Sequence, residues 1–472
     1  MGRDMTSGNP LKLIILFTLP MLLGNVFQQF YNMADTFIVS QTLGMDALAA
    51  VGSTGSIIFL ILGLAIGLTA GLAVITAQRF GKKDEKSLRK SLGVSLIITM
   101  IASIILTVFA TLNTRNILEL MQTPPEIIDH AYDYLVVLFS GISATVLFNF
   151  LSNILRAIGD SRTPLIFLII TSFLNIILDY VFILGFNMNV AGAGYATVIA
   201  QFVASILCIL YIKKKVHILR IRKDDWTLEW AEYKEHLRIG LPYGFQYSII
   251  AIGSIAIQIT LNQLGALSVA AYTAALKIDQ LLTMPLQTIG ISMSTYVAQN
   301  FGAGKFERIK RGMRSGLAIT LSYSVLIGLI FLFSGRFLAS FFVDADNTAV
   351  LDLAEQFFKI QWPFYTLLAL VLILRPSLQG LGNSFAPTIA GVMELAARIF
   401  GALILSSYFG FSGAVASNPI AWFSAIVPLI LSFYFTQRIL TKEPTRLELA
   451  LSLGSKKVMQ AAKTLQAEKQ IS

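Results

Sequence analysis

The sequence predicts an all-α polytopic membrane protein, with twelve transmembrane helices in two six-helix bundles related by a pseudo-two-fold axis along the membrane normal. Three observations lead there. Of 472 residues, 55% are hydrophobic and only 13% charged, against about 25% charged in soluble chains, too little polar surface to coat a soluble body of this size. Apolar stretches of about 20 residues, long enough to cross a hydrocarbon core, recur from end to end. The chain also repeats itself at a near-constant offset.

The apolar stretches fall near 11–39, 47–78, 91–113, 131–158, 164–185, 191–212, 237–263, 267–299, 313–338, 352–380, 385–408 and 413–439. Asn9-Pro10 suits the start of the first, a capping side chain followed by proline at the first helical position. The first stretch continues past Pro20 to about Val39, too long for a cleavable signal core. Pro20, Pro242, Pro285, Pro376, Pro419 and Pro428 lie inside spans, where they are expected to kink or locally unwind the helix.

Loop charge sets the orientation. The loops at 79–90, 213–238 and 305–314 hold six, eight and five Lys/Arg, and the C-terminal segment from 438 holds seven. The alternate loops 40–46, 186–190, 264–266 and 409–412 hold none. Positive loops stay cytoplasmic, and an even number of spans places both termini on that side, in the cell membrane. The net charge of +10 is thus topology, with no nucleic-acid partner implied. Cys208 is the single cysteine, and the three histidines, His130, His217 and His236, fall at predicted loop edges, so neither a disulfide nor an intramembrane histidine site is expected.

The repeat is specific. Leu19-Pro20 recurs as Leu241-Pro242, Leu43-Gly44 as Leu264-Gly265, and Gly192-Ala193 as Gly413-Ala414. Ala77-Gln78-Arg79-Phe80-Gly81 recurs as Ala298-Gln299-Asn300-Phe301-Gly302, and the segment Leu155–Pro164 as Leu378–Pro387. Six spans per unit make the units parallel, a plan in which solute is handled between the halves. The expected organisation is a bundle at 1–212, a cytoplasmic linker at 213–236, a second bundle at 237–440 and a cytoplasmic tail at 441–472, acting as a monomer.

Ionisable side chains inside a bilayer are costly and are functional candidates by default. Asp35 in span one, Asp179 in span five and Thr197 in span six all sit about 6–10 Å below the outer surface, at 1.5 Å of rise per residue. Asn175 precedes Asp179 by four residues and shares its face. Two carboxylates in a low-dielectric pocket repel each other and titrate as a coupled pair. With Asn and Thr oxygens they form a hard-oxygen shell for Na⁺ or for a shared proton. The bland alternative is that each acid only bonds a neighbouring helix. In the second half, Glu394 and Arg398 are four apart and are expected to pair. Lys277 and Asp279 point to different faces, so each needs another partner. Arg375 is expected to snorkel to the inner surface. Gln246 is a candidate cavity liner, and with Lys277, Asp279, Glu394 and Arg398 it makes up the expected substrate cavity.

Together these motifs resemble the multidrug and toxic compound extrusion (MATE) family, from about Pro10 to Leu440. The carrying residues are Leu19-Pro20, the segment Gln29–Thr36 with Asp35, Leu43-Gly44, Ala77–Gly81, Leu155–Asp160, and Gly192-Ala193 before Ala196-Thr197. The resemblance implies a first-half cation site at Asp35, Asn175, Asp179 and Thr197, the residues that depth had already grouped. These four would be metal ligands only if Na⁺ is the coupling ion. In some members it implies a second acid pair in spans seven and ten; span seven here offers Gln246, and Asp279 or Glu394 would have to stand in. The implied activity is H⁺- or Na⁺-coupled export of amphiphilic, mainly cationic drugs by alternating access, with no cofactor beyond the coupling ion.

Two rival functions remain open at this level. A flippase for an anionic lipid-linked precursor would want a cationic cavity, for which Lys277, Arg375 and Arg398 are available. A membrane-embedded enzyme would want a nucleophilic or metal-ligating set, and the sequence offers no such cluster.

Overall fold

The computed structural model describes residues 4–343 and 347–442, and no strand occurs among them. The expected tail beyond residue 442 lies outside the described residues. The first seven helices are α1 (Pro10–Leu43), α2 (Met45–Gly81), α3 (Glu85–Leu120), α4 (Pro125–Ser140), α5 (Ile142–Ala157), α6 (Arg162–Tyr180) and α7 (Asn189–Lys215). The remaining eight are α8 (Trp230–Leu264), α9 (Ala266–Gly302), α10 (Phe306–Ala339), α11 (Thr348–Gln361), α12 (Tyr365–Gly380), α13 (Phe385–Phe400), α14 (Ser406–Phe409) and α15 (Phe411–Lys442).

Ten helical runs among the described residues are long and apolar enough to span a membrane, and α4 with α5, bent by 50° at Gly141, makes an eleventh. The helix α9 has 37 residues and is as long as the others, but it is more polar. Thr283, Thr288, Ser292, Gln299 and Asn300 on it are all buried, so protein, not lipid, receives those groups. With α9, the helical runs match the twelve expected stretches. The helices run on through their prolines, Pro20 inside α1 and Pro285 inside α9 among them.

Local chemistry explains the ends. The Asn9 carboxamide accepts the Leu11 N–H at 2.9 Å, as a cap should. The repeated Leu155–Pro164 and Leu378–Pro387 segments are stop-and-restart devices. Gly159 and Gly382 take φ of 86° and 82°, which favours glycine, and end one helix. Asp160 then opens α6 by accepting the Thr163 N–H at 3.1 Å and hydroxyl at 2.7 Å, with the Tyr211 hydroxyl at 3.2 Å.

Two compact units result, one from Ile15 to Ile255 and one from Ala256 onward, with Gly8–Ile14 joining the second. In the first, acids of the linker and of early α8 gather the basic end of α2 and α3. Arg79 meets Glu232 at 2.6 Å and Glu235 at 2.9 Å, Arg89 meets Asp225 at 2.9 Å, and Lys90 lies 3.7 Å from Glu229. His236 is not at a loop edge as expected. It sits fully buried on α8, with Nε2 2.8 Å from the Ser91 hydroxyl and Nδ1 2.7 Å from the Glu232 carbonyl. His130 also lies within a helix, α4. The second unit has an aromatic core: Phe331 stacks on Phe358 at 4.5 Å, with Tyr365, Phe357 and Trp422 around them.

Candidate functional site

Three helices of the first unit bring the predicted acids together. One face of α1 carries Tyr31 and Asp35, one face of α6 carries Asn175 and Asp179, and α7 carries Thr197. Asp179 and Asn175 are fully buried and Asp35 is 7% exposed. Thr197 Oγ1 is the hub: the Tyr31 hydroxyl lies 3.3 Å away, and Asn175 Nδ2 donates to it at 3.4 Å. Asp35 and Asp179 lie close enough to interact directly. Both Asp179 oxygens, Asp35 Oδ1 and Asn175 Oδ1 are buried without a hydrogen-bond partner among the described residues. Such orphaned acceptors are costly. Two neighbouring carboxyls can share a proton or a bound cation, and the four oxygens suit either.

The chain turns unusually just beyond the acids. After Tyr180 the α6 helix widens into a π-helical turn, Val181–Gly185, a form frequent at functional sites. The first turn of α7 packs against it: a Cβ at Gly192 would lie 3.2 Å from Ile183 Cγ1. The second unit repeats the device, with a π turn at Gly401–Leu405 and Gly413 so close that a Cβ would meet the Leu405 carbonyl oxygen at 2.2 Å. Close approach to a π turn is therefore the physical content of the repeated Gly-Ala dipeptide.

Asp35, with Tyr31 and Thr197, borders a cavity of about 490 Å³ in the first unit, while Asp179 and Asn175 stand behind them outside its lining. Along α1 its lining runs from Pro20 through Gly24 and Gln28 to Asp35, one helical face, and Asn149, Gln201 and Arg156 add polar groups from α5 and α7. Tyr31, Tyr134 and Arg156 were not singled out from the sequence as site residues. Tyr31 stands one turn before Asp35, so spacing could have found it. Arg156 sits inside a quoted repeat motif, but its direction depends on packing.

In the second unit the expected Glu394–Arg398 pair forms at 2.8 Å. Arg375 does not snorkel: it is buried and donates to the other Glu394 oxygen at 2.6 Å. A carboxylate on the neighbouring helix holds it more strongly than a distant headgroup layer would. Lys277 and Asp279 do find separate partners, Lys277 above the Phe342 ring at 5.9 Å and Asp279 accepting from the Tyr365 hydroxyl. Gln246 lies on α8, and none of these residues borders the first unit's cavity. Contrary to the absence expected from sequence, one metal-ligating set does come together: Glu232, Glu235 and His236. Its carboxylates are already bonded to Arg79 and its imidazole to Ser91, so it is an ion-pair cluster.

The MatE family model matches residues 20–181 and 242–404. A probable multidrug resistance protein of Bacillus subtilis, YpnP, is 30% identical over 379 residues, covering 80% of this chain and 84% of that protein. A FAD transporter of Shewanella oneidensis is 24% identical over 433 residues, covering 91% and 94%. In fold, an outward-facing multidrug resistance MATE family transporter of the MOP superfamily superposes with a TM-score of 0.85 at 24% identity, covering 93% of this chain and 98% of that one.

Proposed function

Because this chain belongs to the MATE family of multi-pass membrane transporters, we propose that it exports amphiphilic, mainly cationic drugs in exchange for protons or sodium ions moving inward. The observation that carries this reading is the buried Asp35–Asp179 pair, with orphaned oxygens and Asn175 and Thr197 beside it, reached from a cavity through Asp35 and Thr197. A proton or Na⁺ entering from outside satisfies the orphaned oxygens and draws α1 towards α6 and α7. That binding and drug binding must favour different states of the protein, since a ligand with equal affinity for both shifts nothing. No bond is made or broken in the solute, so an enzymatic role is not needed.

We place the protein in the cell membrane as a monomer, both termini cytoplasmic. The multidrug reading rests on relatives such as the Bacillus protein, and the Shewanella relative extends the family's solutes to a dinucleotide. The flippase alternative loses two of its three candidate cations, because Arg375 and Arg398 share Glu394. The test is efflux of a fluorescent organic cation from proteoliposomes under separately imposed Na⁺ and pH gradients. One gradient should drive accumulation against the dye's own gradient. Equal, purely downhill dye movement under every condition overturns the antiport reading.

A further inference from the structure

The cavity has a second charged end. Arg156 lies in the last turn of α5 and lines the cavity. Its one hydrogen bond among the described residues is a long one, 3.4 Å from Nη1 to Asn153 Oδ1, and its Nε is buried without any. No carboxylate among the described residues pairs with it, whereas Arg89 has Asp225, and Arg375 and Arg398 have Glu394. An uncompensated cation in a low-dielectric site is unfavourable. Here the carbonyl end of α5 offsets part of that cost, which makes the group tolerable when nothing is bound. The two ends are well separated. Gly24 packs on Leu165 and Leu168 near the start of α6, the level at which Pro164 and Ser161 join Arg156 in the lining. Asp35 is eleven residues further along α1, roughly 16 Å at 1.5 Å per residue.

The geometry points to Arg156 as a substrate-binding residue that receives an acidic oxygen group, a carboxylate or phosphate, on an amphiphilic solute whose apolar body lies along the cavity towards Asp35. A planar guanidinium with free donors matches such a group in bidentate fashion. The arrangement suits solutes that combine an organic cation with an acid, and separates the solute's acid from the coupling acids. This inference rests on the export reading for its direction of transport, but it is a statement about binding.

The test uses full-length protein in phosphatidylcholine vesicles and two dyes, rhodamine B with its carboxyl free and rhodamine B ethyl ester. The wild type should bind the acid more tightly than the ester. In Arg156→Gln the acid-over-ester preference should fall about 10- to 100-fold, the range expected for a charged hydrogen bond. Arg156→Lys keeps the charge but loses the fork, so it should retain part of the preference and serves if the Gln variant folds poorly. Loss of the preference only in vesicles containing phosphatidylglycerol would identify a lipid acid group as the natural occupant of the same pocket. A wild type without preference for the acid, or variants that weaken both dyes equally, overturns the inference. Tight, Arg156-dependent acid binding with no gradient-driven movement would sink the antiport reading and leave this one standing. Failure of both dyes to bind sinks both readings.

Discussion

At the scale of single residues, Asp35 and Asp179 should behave as a unit. Asp179→Asn keeps shape and hydrogen bonding but removes the charge proposed to hold Na⁺ or exchange a proton, so the variant should fold, bind dye and lose gradient-driven efflux. Asp35→Asn should do the same, and the double variant should be little worse than either, since groups acting together are non-additive. Efflux and dye binding on the three variants check this, and multiplicative losses would mean two independent sites. The Arg375–Glu394–Arg398 triad gives a second expectation. Glu394→Gln strands two buried cations and should destabilise by about 3–5 kcal/mol, seen as lost monodisperse yield. Pairing it with Arg398→Met is insufficient because Arg375 remains, and only the triple change with Arg375→Met should restore yield. The contrast between these two clusters shows where sequence reasoning reaches. Spacing and alternating topology put Asp35, Asp179 and Thr197 at one depth and Asn175 one turn deeper on the face of Asp179. Arg375 was misread because snorkelling and inward pairing need the same long side chain near a span end, and only the neighbouring helix decides between them.

At the scale of elements, hydropathy and loop charge outlined the helical runs, because twenty apolar residues leave a mark that survives any packing. The bend at Gly141 and the π turns at Val181–Gly185 and Gly401–Leu405 left none. A π turn adds a single residue to a helical turn and changes neither composition nor length enough to register. The repeated Gly192-Ala193 and Gly413-Ala414 were its only trace. Gly413→Ala forces a Cβ onto backbone atoms of Leu405 and Ser406, and should cost about 1–3 kcal/mol, as overpacking does. Gly192→Ala should cost less, since its nearest contacts include side-chain carbons that can shift. Gly52, with open space around its Cα, is the control: in a helix interior Ala there should be neutral or gain about 0.5–1 kcal/mol. Thermal midpoints of the three variants in one detergent would rank them, and equal midpoints would refute the packing account.

At the scale of the whole molecule, the proposed topology predicts a labelling pattern. Cysteines at Met188 and Ser407 should react with an impermeant thiol reagent from outside the cell, and those at Lys82 and Glu307 should not. Cys208 is buried, so background should be low, and a reversed pattern would invert the molecule. The ion pairs at the end of α2 and α3 have a consequence for how that topology is acquired. Arg79 and its partner Glu232 are 153 residues apart, which at 5–20 residues per second separates their synthesis by roughly 8–30 s. When α2 and α3 enter the membrane, Arg79, Arg89 and Lys90 therefore still lack their linker and α8 partners, and in the proposed topology they would count towards keeping their loop in the cytoplasm. The linker acids Asp225 and Glu229, with Glu232 and Glu235, emerge only afterwards. In the proposed topology the same cations would serve as an address during biosynthesis and as a fastening in the finished protein, and delayed neutralisation would keep the second role from erasing the first.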